Sequence, residues 1–196
     1  GGAAGGQTRG RGPGVWQSRA RGGTPQAAVE ARNELPSGNR LNEQLRGHKL
    51  KTAAELKERF GADWYLEHLW KPNVRGACAF AQTLRTSLER SEVITPAPFT
   101  APGWSQHEYL AFWETLLRTR IESVWLNDAW QFSNGCTFEF AVAQDAGIPT
   151  FDARGVRLTA GQGVALIDAA IASLDQDGFD TVKLRESRDR LMTRVA

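Results

Sequence analysis

Residues 122–152 read Glu-Ser-Val-Trp-Leu-Asn-Asp-Ala-Trp-Gln-Phe-Ser-Asn-Gly-Cys-Thr-Phe-Glu-Phe-Ala-Val-Ala-Gln-Asp-Ala-Gly-Ile-Pro-Thr-Phe-Asp, and the way apolar and polar residues alternate in them decides the fold to expect. Ser123 to Leu126 is short, apolar and partly β-branched, as suits a buried strand, and it stops at Asn127 and Asp128. Ser133 and Asn134 are helix N-cap types. Ala141 to Ala146 is rich in helix formers, and Gly147 followed by Pro149 closes the segment. Ile148 to Phe151 starts a second apolar run, so the stretch is expected to form a strand, loop, helix, strand unit of the parallel-sheet kind.

Three polar residues fall where such a unit carries function. Asp128 ends the strand, Ser133 starts the helix and Glu139 stands in its second turn. Open α/β sheets bind ligands beyond the carboxyl ends of their strands, and helix N-termini attract anions through unpaired N–H groups and the dipole. Glu139 lies three, four and seven residues from Cys136, Ala143 and Ala146, so a carboxylate projects from a small, apolar helix face.

The pattern Asp128-x4-Ser133-x-Gly135-x3-Glu139, with Ala143 and Gly147-Ile148-Pro149 after it, resembles the nucleoside 2-deoxyribosyltransferase superfamily. Within that group it is closer to the 2'-deoxynucleoside 5'-phosphate N-hydrolases. The likeness is strongest over about 30 residues and looser over residues 76 to 175. It implies a glutamate nucleophile at Glu139, the strand-end acid at Asp128 and a phosphate-binding serine at Ser133, with Asn134 and Gly135 in the same turn. Transferases of this family that act on free nucleosides carry aspartate at the Ser133 position. Serine also suits phosphate on physical grounds, because it donates a hydrogen bond without adding a second negative charge. The resemblance implies an α/β, Rossmann-like three-layer sandwich with a mostly parallel sheet of about four to five strands. It also implies a homo-oligomer, and no cofactor is called for.

The chain has 196 residues, 41% of them hydrophobic, enough for one main domain and an appendage. A formal charge of +2 is too small to make the whole domain a nucleic-acid binder. Cys78 and Cys136 are too few for a disulfide framework, which points to the cytoplasm or another reducing compartment by default; a cleaved presequence directing it to an organelle would leave no trace. No run of about 18 apolar residues predicts a membrane span. His48, His68 and His107 lack metal-ligand spacing, so no metal is expected.

Residues 1–45 read as a flexible Gly/Arg-rich arm before an α/β domain over 46–178 and a charged C-terminal helix or tail over 179–196. Arg9, Arg11, Arg19 and Arg21 of the arm face no acid before residue 24; they suit RNA, anionic lipid or a partner protein, or simply solvate a linker. Thr52 and Glu55 make a capping box for a helix over 52–60. Asp63 to Trp70 fits either the first strand or a continuing helix. Under the family resemblance Tyr65 is the upstream tyrosine near the sugar, with Asn73, Arg75 and Gly76 as the glycine-bearing loop. Helices are expected over 76–90 and 105–120 and around Val164, Ile167, Ile171 and Leu174, with a strand over Glu92 to Pro96 and an ordered loop from Thr95 to Gly103. Trp104 and His107 after that loop either line a base pocket or pack.

Two functions are therefore expected. One is cleavage or transfer at the N-glycosidic bond of a nucleoside 5'-monophosphate, with Glu139, Asp128 and Tyr65 catalytic and Ser133, Asn134, Gly135, Trp104 and His107 holding substrate. The other is a nucleotide-binding or structural subunit that keeps the fold without turnover. Cys136 at the helix start is also open to a nucleophile's role.

Overall fold

The computed structural model describes residues 26–29, 38–88 and 91–195. In chain order the elements are β1 (Gln26–Val29), α1 (Gly38–His48), α2 (Ala53–Phe60), α3 (Ala62–Tyr65), a π-helical turn (Leu66–Trp70), α4 (Lys71–Ser87), β2 (Glu92–Ile94) and α5 (Gln106–Arg120). There follow β3 (Ser123–Trp125), a 3-10 turn (Trp130–Phe132), α6 (Asn134–Asp145), β4 (Thr150–Phe151), β5 (Arg157–Leu158), α7 (Ala160–Gln176) and α8 (Val182–Val195).

The central unit forms locally as its pattern predicts. β3 and β4 pair in parallel, with Val124 opposite Thr150 and Trp125 opposite Phe151, and α6 connects them. The wider expectation of a Rossmann-like three-layer sandwich is corrected: the described residues are mostly helical, at 67%, with a small mixed sheet. In that sheet β4 lies parallel to β3 and antiparallel to β5, while β1 joins β3 to β2 in parallel. The physical reason is length. Strands of two to four residues bury little surface, so most of the apolar area lies on helix faces. The β4–β5 hairpin was not foreseen. Asp152 organises its turn by accepting the N–H groups of Arg154 (2.9 Å) and Val156 (2.8 Å).

Two elements fall in the stretch read as an arm, β1 and most of α1, and Leu41 and Leu45 of α1 enter the main core. Arg9, Arg11, Arg19 and Arg21 lie outside the described residues. The ambiguity over Asp63 to Trp70 resolves to helix. Asn73, Arg75 and Gly76, expected in a loop after the first strand, sit inside α4. Pro72 accounts for the π turn just before it. A proline within a continuous helix has no N–H for the carbonyl four residues back, and a widened turn accommodates the loss.

Val124 and Trp125 point to opposite faces of the sheet, as successive strand residues do. Val124 joins the main cluster, built from every α helix except α4, while Trp125 packs against the smaller cluster of Ala81, Leu84 and Val93 beneath α4. Arg85 donates to the carbonyl of Val93 at 2.8 Å and so occupies an acceptor on the edge strand β2. At the other side of the molecule α8 docks on α6 and α7. There Arg190 bonds Asp145 of α6 (2.5 Å) and Glu114 of α5 (3.0 Å), and Arg118 also bonds Glu114 at 2.9 Å.

The tightest approach joins α6 and α7, where a Cβ at Gly163 would stand 2.0 Å from Cε1 of Phe140. Gly163→Ala should therefore lower the unfolding free energy by about 1–3 kcal/mol, read from denaturant titration. Glu114 gives a second expectation. Burial works against its charge, but Arg190 and Arg118 beside it hold the carboxyl below its ordinary value. A carboxyl held low contributes stability that is complete above its unfolded value and is lost as pH falls through the folded one. Stability should decline as pH drops below about 4.3, and Glu114→Gln should flatten part of that decline.

Candidate active site at the end of β3 and the start of α6

The four strands β1 to β4 run parallel, so their carboxyl ends share one edge of the sheet. The chain leaving β3 there passes through half-buried Asn127 and exposed Asp128 to Ala129, which has φ 63° and ψ 20°. A 3-10 turn follows, closed by bonds from Phe132 N–H to Ala129 O (3.1 Å) and from Ser133 N–H to Trp130 O (3.0 Å). Trp130 is buried, its ring 4.7 Å from that of Phe140, and this contact anchors the turn in the core.

Ser133 then caps α6. It is only 1% exposed, and its hydroxyl accepts the N–H of Cys136 at 3.3 Å. Thr137 reinforces the first turn, its hydroxyl donating to the carbonyls of Ser133 (2.9 Å) and Asn134 (3.2 Å). Asn134 and Gly135 are half-buried at the helix start, where backbone N–H groups and the dipole favour an anion. Glu139 lies about 7.5 Å further along the axis at 1.5 Å per residue. It is 6% exposed on a helix whose Cys136, Phe140 and Ala143 are fully buried.

The loop after β2 and the start of α5 come to the same edge, which brings Trp104 and His107 near it. They divide to either side of α5. Trp104, 43% exposed, packs edge-on to Phe112 (5.4 Å between ring centres), which in turn stacks on Phe99. Phe112 stands about 200° around the helix from Glu114, the residue that reaches α8, so this aromatic group faces away from α6. Trp104 is thus part of an aromatic group with Phe99, Tyr109 and Phe112. His107 is seven residues before Glu114, on nearly the same side of the helix, and is exposed.

Tyr65 is buried in the main cluster on α3, with the Lys57 ammonium 4.3 Å from its ring centre; it is not on a strand or its following loop. The element packed against the 3-10 turn from the amino-terminal side is α1. Its buried Asn42, beside Leu41, went unnoticed in the sequence, where the i, i+4 spacing of Leu41 and Leu45 was the available signal. Cys136 is fully buried and outside any disulfide, and its burial removes it as a nucleophile for any substrate at this edge. Asp152 at the end of β4 is committed to its turn. Desolvation pushes its carboxyl up, but the bonds from Val156, Arg154 and the Arg154 guanidinium hold it below its ordinary value. Among the described residues no group of three or more His, Cys, Asp and Glu side chains is placed to hold a metal ion.

No family model, curated protein or solved structure matches the chain.

The cap yields a test of its own. Ser133→Ala should cost about 1 kcal/mol of stability in thermal unfolding, from the lost cap of α6.

Proposed function

We propose that the protein cleaves the N-glycosidic bond of a nucleoside 5'-monophosphate, as its resemblance to 2'-deoxynucleoside 5'-phosphate N-hydrolases implies. The observation that carries this reading is Glu139, a carboxylate set among buried apolar residues one to two turns below a helix N-terminus, with exposed Asp128 at the same edge. In this reaction a Glu139 oxygen bonds to the anomeric carbon as the glycosidic bond breaks. The bond's electron pair leaves with the base, which takes up a proton. Water then cleaves the glycosyl ester, releasing the sugar 5-phosphate and regenerating the carboxylate. Asp128 positions a sugar hydroxyl or supplies the proton, and His107 lies on the side of α5 from which it can approach the base. The phosphate rests on the N–H groups of Asn134 and Gly135, while Ser133, turned inward, shapes their turn.

No helix of the described residues is long and apolar enough to cross a membrane, and Cys78 and Cys136 form no disulfide. A reducing compartment, a homo-oligomer and a protein or RNA partner for the arginine-bearing arm complete the proposal. A second reading, a nucleotide-binding or structural subunit without turnover, is favoured by the inward Ser133 hydroxyl and the burial of Tyr65.

The test is release of free base from ribo- and deoxyribonucleoside 5'-monophosphates by the intact chain and by Glu139→Gln. Release that the substitution reduces by 10³-fold or more, as loss of a nucleophile does, establishes the enzyme. If the intact chain binds a monophosphate but liberates no base, the subunit reading stands instead.

A further inference from the structure

Among the described residues two that are not glycine have positive φ, Lys49 (57°) and Ala129 (63°). Lys49 is explained by its place after α1. Its N–H bonds Arg46 O at 3.1 Å and Leu50 N–H bonds Leu45 O at 2.9 Å, so it takes the left-handed position that commonly ends a helix. Ala129 ends no helix. It stands between an exposed carboxylate, Asp128, and a buried anchor, Trp130, and starts the 3-10 turn that leads to Ser133.

The left-handed conformation crowds a Cβ against the following carbonyl, a strain glycine would avoid. An alanine there makes the connection stiffer than glycine would, because the swap to glycine widens the range of φ and ψ open to the chain. With Trp130 held against Phe140, the stiffness passes backward to the residue before it.

We infer that Ala129 is a positioning residue: its left-handed backbone, pinned on one side by Trp130, fixes at the sheet edge the backbone from which the Asp128 carboxylate projects. The inference rests on the reading of Asp128 given under the proposed function. Strain kept beside a candidate site and not relieved by glycine is the pattern expected where geometry matters more than stability.

The experiment compares the intact chain with Ala129→Gly, using Lys49→Gly as a control that removes the same strain away from the site. Two quantities are read: the NMR order parameter of the Asp128 backbone N–H, and kcat and KM on whichever monophosphate the intact chain cleaves. Ala129→Gly should remain folded, lose order at Asp128 and lower kcat roughly tenfold to a hundredfold with KM little changed, as small misplacements of reacting groups do. Lys49→Gly should leave both quantities unaltered. If Asp128 stays as ordered in Ala129→Gly as in the parent, the inference is overturned, whatever the activity. If order falls but kcat holds on a cleaved substrate, Ala129 positions nothing that the reaction uses and the inference fails as well. A parent that cleaves no monophosphate counts against the proposed function, and the order of Asp128 then decides the inference alone.

Discussion

Phe140 occupies the space that a side chain at residue 163 would need, and much of the molecule is arranged around that fact. Its ring lies against Gly163 on α7 and 4.7 Å from Trp130 in the turn before α6, so a single buried side chain ties two helices and the connection out of β3 together. Interiors packed to crystal-like density do not tolerate a shifted ring without moving its neighbours. Asp128, Ala129 and Ser133 therefore take their positions from the core, although they sit at its margin.

Around this contact the helices are fastened mostly by polar bonds at their ends. Arg46 of α1 meets Asp177 after α7, and Lys51 donates to the Asp177 carbonyl, which places two cations at a helix C-terminus where the dipole favours them. Gln144 bonds Thr150 at 2.6 Å, and the buried Thr150 hydroxyl bonds Leu158 O at 3.1 Å, joining α6 to the hairpin. Arg190 then closes α8 over α5 and α6 through Glu114 and Asp145. The sheet is too short to organise the fold, and these end contacts take over part of that task.

Legibility followed local chemistry. The helices over α2, α4, α5, α6 and α7 could be read from caps and apolar spacing because those signals reside within a few residues: Thr52 with Glu55, Leu110 with Trp113 and Leu117, Ser133 before the helical run. The strand, helix, strand order of residues 123–151 was readable for the same reason. The balance between helix and sheet was not, since it depends on strand length, and Thr150–Phe151 gives no sign of ending after two residues until Asp152 is seen to turn the chain. β1 was missed because Ala27 and Ala28 are weak strand formers in a glycine-rich setting, and their pairing with β2 and β3 spans the sequence. At the candidate site the edge position of Asp128 and the cap of Ser133 followed from sequence. The packing of Trp104 into the aromatic group of Phe99 and Phe112 and the left-handed Ala129 did not, because both depend on tertiary neighbours.

The π turn ahead of Pro72 bears on how the protein unfolds. Residues 62–87 form one unbroken helical rod whose early part, with Tyr65 and Leu69, belongs to the large core and whose later part, with Ala81 and Leu84, belongs to the small one. The widened turn rotates the second part relative to the first, so a single rod can serve two cores facing different ways. Neither core can melt without twisting the rod that stabilises the other. Two clusters that would otherwise behave as separate foldons are thereby coupled into one cooperative unit.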